Sequence, residues 1–402
     1  MCPERADRHP PPDPSVPAVA AGGRTGALVV RWVVAGRRHG RAARWAAVAV
    51  LIAALLALPA VLRVLPVSDA AVPAAELRTR ALATESLGFS GYAVSAGNLA
   101  LPVTDQLSSV ADLFSNRTSM RVWWRGPTDN RVDVVTPAGE TDTHRGPGAT
   151  WSWQYETATA TRSAVNPLDL PAAPDVLPSS LGRRLLSEAA DGELSRLGAR
   201  RVAGRDTLGL RLVPAAAASS VRRVDVWIDA ATGLPLQVEV WQKGAGKAAL
   251  DTRFLDLDLA VPDASVTAFT PPPGAVVRDR REAEVVLEAG RRIRPVHLPA
   301  ELVGLPRRVL TGVPSGIGLY GSGVTLLAVA PVPERLARGL RDALSASPDA
   351  VVDELGTRVA AGPVALMIVE PPGRGPYVLT GTVTLDALAR AARQLPDLER
   401  TP

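Results

Sequence analysis

The sequence predicts an α+β protein in three parts: an apolar N-terminal helix, a large antiparallel β region with covering helices, and a smaller α+β unit. Residues 45–62 carry no charge. From residue 119 onward, short runs alternate between apolar and polar side chains, and Gly, Pro, Asn or Asp separate them, which is typical of antiparallel strands. With 402 residues, the chain is long enough to form two folded units.

The positive charge of the chain is concentrated at its N-terminal end. Nine arginines and three acidic residues stand before residue 68, whereas the rest of the chain has nearly equal numbers of basic and acidic residues. A nucleic-acid-binding groove needs basic residues on the folded part of the protein. The charge distribution therefore argues against nucleic-acid binding, despite a pI near 9.9.

The chain has a single cysteine, Cys2. This excludes a disulfide within the chain and a cysteine-based metal cluster. No cysteine follows the apolar stretch, so a lipid anchor at that point is also excluded.

The N-terminal part is organised around the apolar stretch. Residues 1–44 are rich in Pro and Arg and predict a disordered cytoplasmic tail. Residues 45–62 would span about 27 Å as a helix, enough for a bilayer core, and the preceding arginines place the N-terminus in the cytoplasm. A cleaved signal peptide is the alternative. Residues 63–75 are a linker to an extracytoplasmic part.

The stretch 119–163 predicts an antiparallel meander with an unusually aromatic dry face. By alternation within each run, that face carries Met120, Val122, Trp124, Trp151, Trp153 and Tyr155. Two interpretations of the tryptophans stay open. They fill an ordinary core, or the apolar face and one or two helices laid across it form a ligand cavity.

The elements around the meander follow from periodicity and turn residues. In the large region, 76–277, we predict helices over 74–87 and from Ser179 or Ser180 to about 190, a strand and turn over 89–102, two strands within 199–214, a hairpin over 221–242 and a strand at 252–262. Residues 278–294 are a charged linker. In the smaller region, 295–402, we predict strands at 308–313, 318–330, 357–370 and 377–384, and helices at 333–346 and 385–395.

No catalytic constellation stands out. Gly316, Gly318 and Gly321 spell G-x-G-x-x-G, but a strand-like run rather than a helix follows, so we predict a glycine-rich hairpin instead of a nucleotide site. Ser90 lacks the second glycine of a nucleophile elbow. The four histidines are scattered, which disfavours a zinc site. We predict a protein that is not an enzyme and needs no metal or cofactor.

Several segments, taken in order, resemble one known family. They are FSGY, RVWWRGPTDNRVDVV, TWSWQYE, RVAGRDTLGLRLVP, VDVWIDAATGLPLQVEV and FTPPPGA. The chain resembles the family that joins the lipoprotein carrier LolA with the sigma-E regulatory protein RseB (MucB), in its actinobacterial form. The match covers residues 77–277, and LPAELVGLP with LYGSGVTLLAV resembles the smaller C-terminal domain of RseB-like proteins.

This resemblance implies a LolA-like incomplete antiparallel β-barrel whose helices cover an apolar cavity, with no enzymatic activity. In the family, the cavity takes acyl chains of a lipid or lipoprotein. In the RseB branch, both domains also bind the external part of an anti-sigma factor. From the faces of the strands, we expect the cavity to be lined by Val122, Trp124, Val134, Trp151, Trp153, Val226 and Val238.

The tether distinguishes this chain from family members that shuttle freely. A single-pass helix at 45–62 would keep the folded part outside the cell membrane but attached to it. We therefore expect a membrane-anchored binding protein that holds a lipid or lipoprotein acyl chain. The alternative is a regulator of envelope-stress signalling that binds the external domain of an anti-sigma factor or another membrane protein.

Overall fold

The computed structural model describes residues 40, 42–64, 67–97, 117–136, 139–164, 172–279, 298–309, 316–369 and 376–395. Two compact units result, residues 1–64 and residues 65–402. Residues 106–114, for which the sequence suggests a short helix or a strand-edge loop, lie outside the described residues, as does most of the predicted linker 278–294.

Among its described residues, the first unit contains one helix, α1 (Ala42–Val64), whose side chains are described from residue 43 to residue 56. This helix includes the predicted segment 45–62. Its described apolar side chains, residues 43–56, are exposed, with 73% of Trp45 and 76% of Leu56 accessible. In the part of the chain that the structure describes, no helix is long and apolar enough to cross a membrane. The helical prediction is confirmed, and the transmembrane prediction is not.

The second unit begins with a large sheet. Its twelve strands are β1 (Phe89–Gly97), β2 (Arg117–Gly126), β3 (Asp129–Thr136), β4 (Gly139–Arg145), β5 (Thr150–Gln154), β6 (Thr159–Ser163), β7 (Leu194–Val202), β8 (Arg205–Leu212), β9 (Val221–Asp229), β10 (Pro235–Gln242), β11 (Leu250–Asp258) and β12 (Val276–Asp279). Their order is β12-β6-β5-β4-β3-β2-β1-β11-β10-β9-β8-β7. All neighbours are antiparallel except β12 and β6, which run parallel.

The register of this sheet confirms the predicted hairpins. Val224 pairs with Val240 and Val226 with Val238, as the alternation of β9 and β10 predicts. β7 and β8 meet at Gly204, whose φ of +72° suits the tight turn between them. The predicted meander over 119–163 consists of five strands, β2 to β6.

Two helices and a short 3₁₀ turn cover one face of the large sheet. Helix α2 (Ala74–Leu82) ends five residues before its predicted end, because the chain turns at 83–86 and the Thr84 hydroxyl donates to the Ala81 carbonyl. The 3₁₀ turn is Ala173–Asp175, and helix α3 spans Pro178–Ser187. We call the side on which they lie the helix-covered face.

A short segment crosses the opposite face of the sheet near β3, β4 and β5. It contains helix α4 (Ala264–Thr267) and then Phe269, and it leads into β12. Asp263 caps α4 by accepting from the Ser265 amide, and the Arg125 guanidinium donates to the Pro262 carbonyl. We call residues 262–275 the strap.

The smaller sheet consists of six strands in the order β15-β16-β20-β19-β18-β17. The elements of this region are β13 (Glu301–Leu302), β14 (Leu305–Pro306), β15 (Gly318–Ser322), β16 (Thr325–Pro331), α5 (Glu334–Ser345), β17 (Val351–Asp353), β18 (Gly356–Ala361), β19 (Val364–Val369), β20 (Tyr377–Gly381) and α6 (Leu385–Gln394). Helix α6 packs on one sheet face with Met367 and Leu379, and α5 packs on the other with Val359 and Ile368.

In this region, two strands predicted from the sequence are each a hairpin in the structure. The predicted strand 318–330 is a hairpin that turns at Gly323, and 357–370 is a hairpin that turns at Gly362. Gly321 has φ +87°, and a Cβ there would meet the Thr325 carbonyl at 2.2 Å. The glycine motif is therefore a hairpin, as predicted. The predicted strand 308–313 is wrong at Arg308 and Val309, which are not in a strand, and 310–315 are not described.

The two sheets of this unit are in direct contact. The Thr384 amide donates to the Ala218 carbonyl at 2.9 Å, and Val324 from the β15–β16 hairpin is buried in the core under α2 and α3. At the C-terminal end of α3, the Glu188 carboxylate accepts from Arg308 at 2.7 Å and from the Gly323 amide at 2.7 Å. α3 is therefore held from both sides, by the large sheet and by this hairpin.

Candidate functional site: the helix-covered face

Five of the seven predicted lining residues share the helix-covered face. Directly opposed residues of antiparallel strands point to the same side, and the pairing connects β3 to β9 through successive strands. Val122, Trp124 and Val134 belong to an apolar cluster around β1 to β3. Val226 and Val238 belong to a second cluster under α2 and α3.

The first cluster is aromatic. The Phe89 ring stacks on Trp124 at 5.9 Å and meets Phe254 edge-on at 5.5 Å. Met120 and Val122 lie on the same face, and neither is exposed. Aromatic and aliphatic side chains of this kind provide a surface for an acyl chain, because burial of apolar area stabilises by about 25 cal/mol per Å².

In this structure, the covering elements fill the space above these side chains. Val122, Val226 and Val238 are fully buried, and Trp124 is 2% exposed. Among the described residues, a cavity of about 230 Å³ lies away from this face, between Lys247 of the β10–β11 turn and Gly362. A ligand of the helix-covered face must therefore displace part of its cover.

The 3₁₀ turn is fixed by strong polar contacts. Asp175 accepts from the Arg145 guanidinium at 2.9 and 3.0 Å, and the Thr252 hydroxyl donates to the Val176 carbonyl at 2.8 Å. Both partners lie on the large sheet. This part of the cover is anchored directly to the strands beneath it.

Helix α3 is anchored differently. Pro178 begins the helix with its fixed φ, and Ser179, Gly182, Arg183 and Leu186 form the buried stripe, at the spacing of one helix face. At Gly182 the backbone approaches β10 closely, since an added Cβ would lie 2.7 Å from the Pro235 side chain. Leu186 joins the second apolar cluster. The contacts of α3 with the sheet are therefore mainly apolar.

Several polar atoms near this interface have no hydrogen-bond partner among the described residues. They are the hydroxyl oxygens of Ser179 and Ser180 on α3 and of Ser95 on β1, and each is buried. Buried polar groups are normally paired, and an unpaired one costs about 1–3 kcal/mol. The buried polar groups of α3 are therefore less completely hydrogen-bonded than those of the 3₁₀ turn.

Arg183 is the buried charge of α3. Its guanidinium lies 5.6 Å from the centre of the Trp124 ring and donates to the Thr84 carbonyl and hydroxyl at 3.5 Å each. Burial lowers the pKa of Arg183 below its usual value, and the charge of Glu85 opposes this. Arg183 is not among the residues predicted from the sequence to line the site.

Trp151 and Trp153, the other two predicted lining residues, lie on the opposite face. Trp153 pairs with Asp142 and Trp151 with His144, and this row continues to Asp133 and Arg131 rather than to Val122. The polar strand β4, GETDTHR, offers no apolar alternation, so the sequence could not show which face continues across it. The structure places both rings against Phe269 of the strap.

The opposite face also carries a buried charged cluster that the sequence analysis missed. The Arg131 guanidinium donates to Asp133 at 2.6 and 2.9 Å and to Asp142 at 2.9 Å. Burial, followed by the charge of Asp133, raises the pKa of Asp142 to about 7. Oxygen atoms of Asp133, Glu140 and Asp142 lie within 4.8 Å of one another, but Arg131 already supplies the positive charge between two of them.

His144 has a structural role in this region. Its Nδ1 lies 3.0 Å from the Thr267 carbonyl, and its ring packs against Phe269 at 4.7 Å. Burial lowers the pKa of His144. This favours the neutral imidazole, which donates from Nδ1 to the strap.

Comparisons by sequence find no relative. Neither a protein-family model nor a curated protein matches this chain. The likeness to known proteins is one of structure.

Solved structures similar to the chain include complexes of MucB with MucA. The MucA/MucB complex of Pseudomonas aeruginosa is 18% identical, with a TM-score of 0.46, and the match covers 81% of this chain and 98% of that one. A LolA superfamily protein of Nitrosomonas europaea is 12% identical, with a TM-score of 0.24, covering 50% and 99%. The Mycobacterium tuberculosis lipoprotein LppX is 18% identical, with a TM-score of 0.25, covering 45% and 92%. The similar solved structures thus include MucB complexes and a LolA superfamily protein, the two branches of the family that the motifs resemble.

Proposed function

We propose that the chain is a membrane-anchored, extracytoplasmic binding protein that holds an acyl chain of a lipid or lipoprotein on the helix-covered face. The ligand lies between the two apolar clusters and α3, which moves to admit it. Burial of the acyl chain drives binding, and no group on this face performs chemistry.

The observation that supports this proposal is the contrast within the cover. The 3₁₀ turn is tied to the sheet by the Asp175–Arg145 ion pair, whereas α3 rests on apolar contacts with unpaired hydroxyls at Ser179 and Ser180. Displacing α3 breaks no ion pair with the large sheet among the described residues, and it returns those hydroxyls to water. The contacts of α3 with the large sheet therefore cost less to break than those of the 3₁₀ turn, while the Glu188–Arg308 ion pair ties the C-terminal end of α3 to the smaller region.

The anchoring helix is proposed from α1 and its flank. Exposed apolar side chains along α1, such as Leu51, Ile52 and Leu55, need an apolar environment. Arginines precede this segment, which favours a cytoplasmic N-terminus and a folded part outside. A tether of this kind suits a protein that takes up its ligand at the membrane surface.

A second candidate function is binding of the external domain of an anti-sigma factor. The observation that favours it is β17, an edge strand of the smaller sheet whose three residues are exposed, including 65% of Val352. An exposed edge accepts a partner's strand through backbone hydrogen bonds. Recovery of such a partner with the wild-type chain, and its loss in Val352→Pro, would support this function.

A reversible disulfide tests the main proposal. In a Cys2→Ser background we would introduce Gly182→Cys and Val238→Cys, because a Cβ at position 182 lies 3.4 Å from the Val238 side chain, within reach of a disulfide. A neutral probe, a fluorescent methyl ester of a long-chain fatty acid, reports acyl binding. We expect the reduced protein to bind the probe and the oxidised protein to bind at least about tenfold more weakly.

The same protein before and after reduction is its own control, and each single cysteine variant controls for the substitutions. Equal binding by oxidised and reduced protein would show that α3 does not cover the site. No binding by reduced or wild-type protein would contradict the acyl-binding function itself.

A further inference from the structure

The Arg183 guanidinium is a buried positive charge without an ionic partner. Only 9% of the residue is exposed, and no carboxylate of the described residues lies within ion-pair distance of it. Its two hydrogen bonds to Thr84 are long, at 3.5 Å. The nearby Glu85 is exposed and acts on it through charge alone.

Elsewhere on the large sheet, buried charges are paired. Asp225 accepts from Arg211 and Arg223, and Asp229 accepts from Arg205 in a two-point contact. An unpaired buried charge costs several kcal/mol, because it loses its water without gaining a counter-charge. Stacking on Trp124 and the carbonyl of Thr84 offset only part of this cost. Arg183 therefore differs from these buried carboxylates in lacking a hydrogen-bonded counter-charge among the described residues.

The position of this guanidinium suits the head group of an amphiphile. It lies on α3 above Trp124, which belongs to the aromatic cluster. It also contacts Thr84 in the turn that follows α2. A chain laid along Trp124, Phe89 and Phe254 would have its polar end beside Arg183. Glu85, whose carbonyl accepts from the Trp124 indole, is exposed. This end of the aromatic cluster is therefore close to solvent, into which a head group can project.

We propose that Arg183 binds the anionic head group, a carboxylate or phosphate, of an acyl ligand whose chain occupies the aromatic cluster. This inference rests on the acyl-binding function proposed above and specifies its ligand class as anionic amphiphiles. A guanidinium presents several donors to the oxygens of such a group, and a charge-assisted pair in a low-dielectric setting is stronger than a neutral one. Neutral esters of the same chain length lack this contact.

The test compares an acid with its own ester. The full-length chain, kept soluble in a steroid-based nonionic detergent, is titrated at pH 8 with a fluorescent long-chain fatty acid and with the methyl ester of that acid. The variants are Arg183→Leu and Arg183→Met, which remove the charge, and Arg184→Leu, which removes an exposed arginine one position further along α3. Sodium acetate serves as a competitor that carries the anion without the chain.

We expect the wild type and Arg184→Leu to bind the acid about tenfold more tightly than the ester. Arg183→Leu and Arg183→Met should bind acid and ester equally, with ester affinity within about threefold of the wild type. Acetate should not displace the acid at matched concentration, since a simple anion site would not need the chain.

Equal affinity of the wild type for acid and ester would overturn the role of Arg183 and leave acyl binding intact. A preference for the acid that survives in both Arg183 variants would do the same. If the wild type binds neither probe, the proposed function fails and this inference fails with it. Displacement by acetate would show a small-anion site instead of a head-group site.

Discussion

Gly182 of α3 lies against Pro235 at the start of β10, so closely that a Cβ on the glycine would stand 2.7 Å from the proline Cβ. The helix can approach the sheet there only because position 182 has no side chain. This contact sets the depth at which α3 sits over the apolar face.

The first prediction concerns this contact. Gly182→Ala should lower the free energy of unfolding by about 1 kcal/mol, since overpacking costs about 1–3 kcal/mol and the gain in helix propensity returns about 0.5–1. Gly339→Ala in α5 is the matched control, because its Cβ would meet nothing within 4 Å, and it should stabilise by about 0.5–1 kcal/mol. Urea unfolding measures both. Stabilisation by both substitutions would contradict the close approach of α3.

The second prediction separates the two faces of the sheet. Trp124→Phe should weaken binding of the fluorescent ester by about three- to tenfold, because it removes indole surface from the aromatic cluster and the hydrogen bond to the Glu85 carbonyl. Trp153→Phe should change it less than about twofold, because Trp153 contacts the strap on the opposite face. Fluorescence titration compares the pair. A larger loss of ester affinity in Trp153→Phe than in Trp124→Phe would show that Trp153 lines the binding site.

These outcomes bear on what the sequence could predict. Local alternation placed Val122, Trp124, Val226 and Val238 on one face, because each of their strands has its own apolar row. It failed for Trp151 and Trp153, since β4 between them and β3 is polar on both sides and register is a property of the paired sheet. Arg183 was missed because a single arginine in an amphipathic helix ordinarily faces water.

The third prediction concerns the pH dependence of stability. The pKa of Asp142 is about 7 in the folded protein and 3.8 in its ordinary state, so the folded protein holds a proton that the unfolded chain releases. Asp142 therefore contributes a loss of stability as the pH rises from about 4 to about 7. Asp142→Asn should remove this loss and stabilise the protein at pH 8, relative to pH 4, by about 1–4 kcal/mol.

Urea unfolding at pH 4 and pH 8 measures the effect, with Asp256→Asn on the exposed part of β11 as the control. The difference in stability from the wild type should change with pH more for Asp142→Asn than for this substitution at an exposed site. A stability difference between Asp142→Asn and the wild type that does not change with pH would contradict the raised pKa.

Glu188 ends α3 and also holds Arg308 and the Gly323 amide of the smaller sheet. If α3 moves to admit a ligand, the contact of Glu188 with the β15–β16 hairpin also changes. Thermodynamic linkage makes this reciprocal: whatever factor ligand binding applies to the docking of the two sheets, the docking applies to ligand affinity. A partner that changes the docking of the smaller sheet would then change the affinity for the ligand, and a bound ligand would change how firmly the smaller sheet is held for that partner.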